Sequence, residues 1–170
     1  MAIVTGGPGA VTLGASDKAA ALTAVKEQLR AGLPDDDALI VAFAESALGL
    51  AEGFTGQILI VRDVVADVRG AEGWQLLPAR PVRAIVAAGV SVDIDAGGNG
   101  WVRSAADARV SFTAGVAADW GTLPAALRQG VVVLAAHLFT DREGRAPIPA
   151  AVAALWRPFR IMELAQAAHA

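Results

Sequence analysis

The stretch TLPAALRQGVVVLAAHLFTDR, residues 122–142, is predicted to form the longest and most apolar helix of the chain. Thr122 is a suitable N-cap residue, and Pro124 suits the first turn, where a missing N–H costs nothing. At about 100° per residue, one side of this helix forms a core stripe. The stripe consists of Leu123, Ala126, Leu127, Val131, Leu134 and Leu138.

The opposite side of the same helix is also apolar from its middle onward. It carries Val132, Val133, Ala136 and Phe139. A helix that is apolar nearly all round is either buried at the centre of its own domain or covered by a neighbouring subunit. The residues of the helix leave both explanations open.

The rest of the chain is organised around this helix. A Gly/Pro-rich extended arm (1–14) precedes two helices within residues 16–56, the first starting near Ser16 and the second ending at Gly53. Residues 57–114 change to β-branched runs with a glycine-rich hairpin turn at 95–100, which predicts an antiparallel sheet. After the long helix, a short helix ends at Pro158 and a tail covers 158–170.

We therefore predict a single α+β domain over residues 1–170 that is mainly helical. Its expected architecture is a small helical bundle, built from residues 16–56 and 122–157. An antiparallel β insertion at 57–114 lies between the second helix and the long later helix.

Composition excludes several classes of protein. The 170 residues can bury one sizeable core, and the chain has no Cys, which excludes disulfides and thiolate metal sites. A net charge of -3 without a Lys/Arg cluster argues against a nucleic-acid binder that neutralises phosphates. No unbroken apolar run approaches the roughly 20 residues of a membrane span, and no signal peptide is recognisable. We expect a soluble protein, made in the cytoplasm, with no membrane partner.

The sequence offers no catalytic, cofactor or metal site. The glycines at 97–100 connect two predicted strands, whereas a phosphate-binding loop opens a helix. His137 and His169 are the two histidines, and no further ligands follow at metal-binding spacing. No serine lies in a Gly-x-Ser-x-Gly motif. Glu45 and Glu52, seven residues apart on one helix, are interpreted as solvated side chains of its outer face.

Several segments, in order along the chain, are similar to head–tail connector (adaptor) proteins of long-tailed phages and of phage-derived gene transfer agents. The resemblance spans residues 11–164, and its most specific parts are DDALI (36–40), EGFTG (52–56), FTAG (112–115), IP (148–149) and PFR (158–160). Each part alone is weak because it contains mostly caps, turns and core residues. Their order and spacing together carry the resemblance, which does not separate a phage from a gene transfer agent.

The resemblance implies a non-enzymatic structural protein of the virion neck. In such families about twelve copies form a ring beneath the portal, extend the DNA channel and dock the stopper or tail proteins. DNA would pass through without sequence-specific binding. The alternative functions are a neck stopper or tail-completion protein and, more distantly, a small ligand-binding domain or enzyme.

The resemblance also suggests roles for residues. A C-terminal segment is expected to face the portal or tail, and it comprises Trp156, Arg157, Phe159, Arg160, Ile161 and Met162. Trp156 and Phe159 could equally close the core. Ring formation favours a subunit contact for the helix face with Val132, Ala136 and Phe139, and Glu45 and Glu52 are suggested to face the channel.

Overall fold

The structure, a computed structural model, describes residues 1–30, 35–141 and 144–161. Met162 of the expected portal-facing segment, His169 and most of the tail lie outside the described residues, as does Arg142. Helices and strands occur in separate blocks along most of the chain. The helical region and the sheet region each bury a hydrophobic core of their own.

Four α-helices in the described part of the chain build the first core. They are α1 (Ala15–Leu29), α2 (Asp37–Thr55), α3 (Ala125–Thr140) and α4 (Ala150–Trp156), the last continued by a 3-10 turn at Arg157–Phe159. Helices α1, α2 and α3 pack against one another, and α4 packs on α3. By length and composition α2 would also suit a membrane span, but it packs between α1 and α3 with one side buried, as a core helix does.

Helix α3 is the predicted apolar helix, but the prediction that it is the longest is wrong: it has 16 residues and begins later than expected, whereas α2 has 19. Pro124 is its N-cap residue, and no side-chain hydrogen bond caps the first turn. The predicted cap is wrong because Thr122 belongs to a preceding turn: its N–H donates to Asp119 Oδ1 at 2.8 Å. The end of α2 also differs from the prediction, since Gly53 lies inside the helix and Gly56, at φ +71°, ends it.

Seven strands among the described residues form two antiparallel sheets. The strands are β1 (Ala2–Thr5), β2 (Arg62–Val68), β3 (Ala71–Leu76), β4 (Val82–Val86), β5 (Ser91–Ile94), β6 (Gly100–Ser104) and β7 (Ala108–Ala114). One sheet has the order β1-β2-β7-β4 and the other the order β3-β6-β5. The predicted turn at 95–100 is confirmed, because β5 and β6 pair up to Ile94 and Gly100.

The prediction of a mainly helical fold is wrong. The chain is α+β, and its two sheets enclose a second core that is separate from the helical one. Alternate residues of β2 and β7 point into this core, as the two-residue period of a strand requires. The buried residues are Ile58, Val64, Ala66, Val68, Leu77, Ala79, Val82, Val102, Val110, Phe112 and Ala114.

Candidate assembly surfaces

A buried ion pair connects the helical core to the sheet. Glu52 on α2 has no exposed surface, and Arg62 opens β2. The guanidinium donates to both carboxylate oxygens, each at 2.7 Å, in a bidentate arrangement. Such fork-to-fork pairs are geometrically specific because two parallel bonds fix both side chains.

The same pair also binds the N-terminal arm. Arg62 donates to the carbonyl oxygens of Gly6 and Gly7, both at 2.8 Å. The Glu52 carboxylate accepts the N–H groups of Gly9 at 2.8 Å and Leu59 at 3.0 Å. The turn after β1 is therefore held against α2, and we call this set of contacts the Glu52–Arg62 clamp.

Glycine is required at the turn inside the clamp. Gly6 adopts φ +73°, and a Cβ added there would lie 2.1 Å from the carbonyl oxygen of Asp63. An L side chain would be strained by the backbone conformation and would also collide with β2. Close backbone approach thus explains Gly6 within the Gly/Pro-rich start of the sequence.

These contacts correct the interpretation of Glu52 as a solvated, channel-facing acid, whereas the suggested channel-facing role of Glu45 stays a prediction. Glu52 is fully buried, so it offers no charge to a channel. Glu45 is half-buried and accepts the Leu13 N–H at 2.9 Å, with Lys18 Nζ 3.5 Å away. Their seven-residue spacing does place them on one side of α2, but the N-terminal arm covers that side.

The second apolar face of α3 is largely covered by the chain itself. Val132 and Ala136 are 5% and 8% exposed and belong to the helical core. Phe139 is half-buried and packs edge-to-face on Phe43, with ring centroids 6.4 Å apart. Of the three residues expected at a subunit contact, Phe139 keeps the most surface for a neighbour, and that role stays a prediction.

The C-terminal segment divides into a buried and an exposed part. Trp156 is only 3% exposed, and its indole N–H donates to the Leu127 carbonyl at 3.2 Å. It closes the helical core, as the alternative interpretation proposed. Arg157, Arg160 and Ile161 are exposed, and Phe159 is half-buried.

Contacts with the end of α2 fix this segment on the surface. Gln57 Nε2 donates to the Phe159 carbonyl at 2.6 Å, and the Ile161 N–H donates to the Thr55 carbonyl at 2.9 Å. The Arg160 guanidinium lies 5.6 Å from the centroid of the Phe54 ring, which is cation–π geometry. The backbone is therefore held in place while both arginines stay available to a partner.

The three-stranded sheet has an exposed aromatic surface that sequence reasoning missed. Trp74 is 46% exposed and lies under the Arg103 guanidinium, 5.2 Å from the ring centroid. Next to this pair, Trp101 donates its indole N–H to Asp95 Oδ2 at 3.1 Å. No spacing pattern in the sequence predicts this surface, because Trp74 and Arg103 are far apart in sequence and meet only through the β3–β6 pairing.

The turn between β5 and β6 is organised by one carboxylate. Asp95 accepts hydrogen bonds from the Asn99 side chain and backbone, and from the Trp101 and Gly97 N–H groups. These bonds, that of the Asn99 side chain foremost, lower the pKa of Asp95 to about 2. Within residues 1–30, 35–141 and 144–161, no three or more Asp, Glu or His side chains are arranged to hold a metal ion.

Comparison with known proteins gives the setting in which these surfaces work. No protein-family model and no curated protein matches the chain. Among solved structures, a chain in the neck of an empty gene transfer agent (GTA) particle computed with C6 symmetry is 25% identical, with a TM-score of 0.70 and 95% of each chain covered. A chain in the virion of a native GTA particle gives the same values. A chain in the neck of a native GTA particle computed with C12 symmetry is 26% identical, with a TM-score of 0.67, over 96% of this chain and 97% of the other.

The chain is similar to proteins of the GTA neck. The likeness extends over both the helical and the sheet regions, because almost the whole of each chain is covered. It supports a structural protein located in the virion neck. The surfaces described above are therefore candidates for contacts within that assembly.

Proposed function

We propose that this chain is the adaptor of a GTA-like or phage neck, a structural ring subunit beneath the portal. About twelve copies would form the ring, extend the DNA channel and provide the docking surface for the stopper or tail proteins. The observation that carries the proposal is the full-length likeness to a chain in a neck computed with C12 symmetry. No catalytic step is part of the role.

The organisation of the fold suits a rigid ring subunit. The Glu52–Arg62 clamp joins the arm, α2 and β2 through charge-assisted hydrogen bonds. Such cross-connections oppose movement of the helical core against the sheets, and a channel wall needs that rigidity. Because the net charge is -3, DNA passing through the ring would meet little general attraction.

The exposed part of the C-terminal segment is the proposed portal contact. It consists of Arg157, Arg160 and Ile161 with the half-buried Phe159, and Met162 follows outside the described residues. Arginines beside apolar side chains are typical of interface hot spots. Trp156 is left out of the contact because it is part of the core.

A neck stopper or tail-completion protein is the second candidate function. The observation that favours it is the equally extensive likeness to a chain in a neck computed with C6 symmetry. In that case the chain would contact the tail side of the neck, with six copies or a multiple, and would not bind portal protein directly.

Pull-down with purified portal protein separates the two candidates. We expect the chain to bind portal, and the double variant Arg157→Glu with Arg160→Glu to weaken binding at least tenfold. The matched control is Arg69→Glu with Arg103→Glu, which changes the net charge equally at exposed arginines of the sheet region. Binding to tail protein but not to portal would support the stopper, and equal loss in both double variants would refute the C-terminal contact.

A further inference from the structure

We propose that neighbouring copies of this chain join through the two free edges of the four-stranded sheet, β1 of one copy pairing with β4 of the next. The inference rests on the proposed ring. In the order β1-β2-β7-β4, β1 and β4 are the outer strands. An outer strand presents unpaired N–H and C=O groups, which form a template for another chain.

The direction of the strands makes this pairing geometrically continuous. Every neighbouring pair in the sheet is antiparallel, so β1 and β4 run in opposite directions. Subunits of a ring meet head to tail, with two different surfaces in each contact. When β4 of one copy meets β1 of the next, the new pair is therefore antiparallel and continues the alternation.

The three-stranded sheet does not offer the same possibility. In the order β3-β6-β5, both outer strands are antiparallel to β6 and hence parallel to each other. A head-to-tail joint there would need parallel pairing, which is slightly less stable. It would also bring together two acidic strands, because β3 carries Glu72 and β5 carries Asp93.

The edges of the four-stranded sheet lack the side chains that most often prevent strand addition, and their irregularities are one register shift each, between Ile3 and Thr5 in β1 and between Val82 and Ala84 in β4. Neither β1 (AIVT) nor β4 (VRAIV) contains Lys or Pro. The one charged side chain, Arg83, donates to the carbonyls of Gly115 and Val116 within its own chain. Exposed apolar side chains remain on both edges: Val4 is 46% and Val86 is 74% exposed.

Only part of the β4 edge is open. The Val82 N–H donates to the Gly98 carbonyl at 2.8 Å, so the turn between β5 and β6 covers the start of the strand. The open part is residues 84–86, three residues against the four of β1. The pairing is thus short, and its backbone bonds lie at the end of β4 nearest Val86.

The Glu52–Arg62 clamp gives β1 a fixed place. Chain termini are usually poorly ordered unless they are tied down. Here the carbonyls of Gly6 and Gly7 and the N–H of Gly9 are bound directly after the strand. The clamp holds β1 in place as an outer strand of the sheet, so pairing with a neighbour costs little additional conformational entropy.

The size of the contact determines when it forms. Two strands of about four residues bury far less than the roughly 1,000 Å² that a stable protein interface needs. Edge pairing therefore accompanies other contacts made in the assembled neck. We expect free chain to be monomeric and the pairing to be present in particles.

Disulfide trapping in particles tests the pairing, and the chain has no native Cys to interfere. On one face of the sheet, Ala2 and Thr5 of β1 pair with Asp67 and Val65, whereas Ala84 and Val86 of β4 pair with Thr113 and Ser111. Those partners share a face through the β2–β7 pairing. Opposed residues of an antiparallel pair have Cα atoms about 4.5–5.5 Å apart, within disulfide range.

Four double variants cover the possible registers: Ala2→Cys or Thr5→Cys, each combined with Ala84→Cys or Val86→Cys. Particles from cells that encode each variant are purified, oxidised and analysed on non-reducing gels. We expect at least one pair to give a ladder of linked copies of this chain. The matched control, Thr5→Cys with Val92→Cys, places the second Cys at a half-exposed position of the other sheet and should give single chains.

The result separates failure of the inference from failure of the proposed function. Reducing gels of the same particles report whether the chain is present in the neck. Presence without a ladder from any of the four pairs overturns the edge pairing, as does an equal ladder from the control. Absence of the unmodified chain from particles overturns the neck function itself, and with it the pairing.

Discussion

Replacing Arg62 with methionine tests whether the Glu52–Arg62 clamp stabilises the fold. Methionine keeps much of the side-chain length but removes both bonds to Glu52 and both bonds to Gly6 and Gly7. Glu52 would remain as a fully buried carboxylate with only the Gly9 and Leu59 N–H groups for partners. Removing one member of a buried pair typically costs about 3–5 kcal/mol of the free energy of unfolding.

Urea unfolding followed by circular dichroism measures the effect. With an m-value of about 2 kcal/mol per molar, the loss corresponds to a midpoint lower by roughly 2 M. The double variant Glu52→Leu with Arg62→Met removes the uncompensated charge, so it should be less destabilised than the sum of the two single variants. A loss below about 1 kcal/mol for Arg62→Met, or additive single effects, would show that the clamp does not stabilise the fold as a coupled ion pair.

Four further predictions concern single positions. Gly130→Ala should destabilise the chain by about 1–3 kcal/mol, because the added Cβ would lie 2.1 Å from Trp156 Nε1. By contrast Gly53→Ala, with open space at the Cβ, should stabilise α2 by about 0.5–1 kcal/mol, and thermal unfolding compares the two. Asp95→Asn should lower the unfolding midpoint near pH 6, because the hydrogen bonds to Asp95 need its charged form. The pKa of Asp95 is lowered to about 2, so the difference in midpoint between the variant and the unmodified chain should shrink as the pH falls below about 4 toward 2. A constant difference from pH 6 to 2 would contradict this. Phe139→Asp should remove the edge-to-face contact with Phe43 and lower the free energy of unfolding in urea by about 2 kcal/mol. It should also reduce particle yield. Normal stability and normal particles would show that this face is neither core nor interface.

Periodicity identified the helices because their core stripes are local features of the sequence. The stripe with Leu127, Val131 and Leu134 is buried as predicted. Boundaries were less predictable, since the Thr122 hydroxyl donates to Asp119 Oδ1 at 3.0 Å within a turn instead of capping α3. Local sequence does not distinguish these two uses of a threonine hydroxyl.

The division into two sheets was not predictable, because it depends on which strands pair across long separations. The arm was recognised as extended, but its pairing with β2 joins residues about 60 positions apart. The buried state of Glu52 was missed for the same reason: a glutamate on the outer side of a helix is usually solvated, and only the folded arm covers it. The exposed Trp74 surface likewise arises from strand pairing.

Side-chain burial also separated residues that the sequence grouped together. Trp156 and Arg157 are neighbours in the expected portal-facing segment, yet one is core and the other is exposed. The cause is α3, where Gly130 leaves room for the Trp156 indole. A missing side chain on a partner helix is not visible from the segment itself.

Reconstruction of the neck of particles from cells that encode this chain is the decisive test of the proposed adaptor role. The adaptor role predicts a ring of about twelve copies around the DNA channel, between the portal and the stopper or tail, in line with the neck computed with C12 symmetry. Six copies on the tail side would support the stopper instead. Particles whose neck contains no density for this chain would contradict the account.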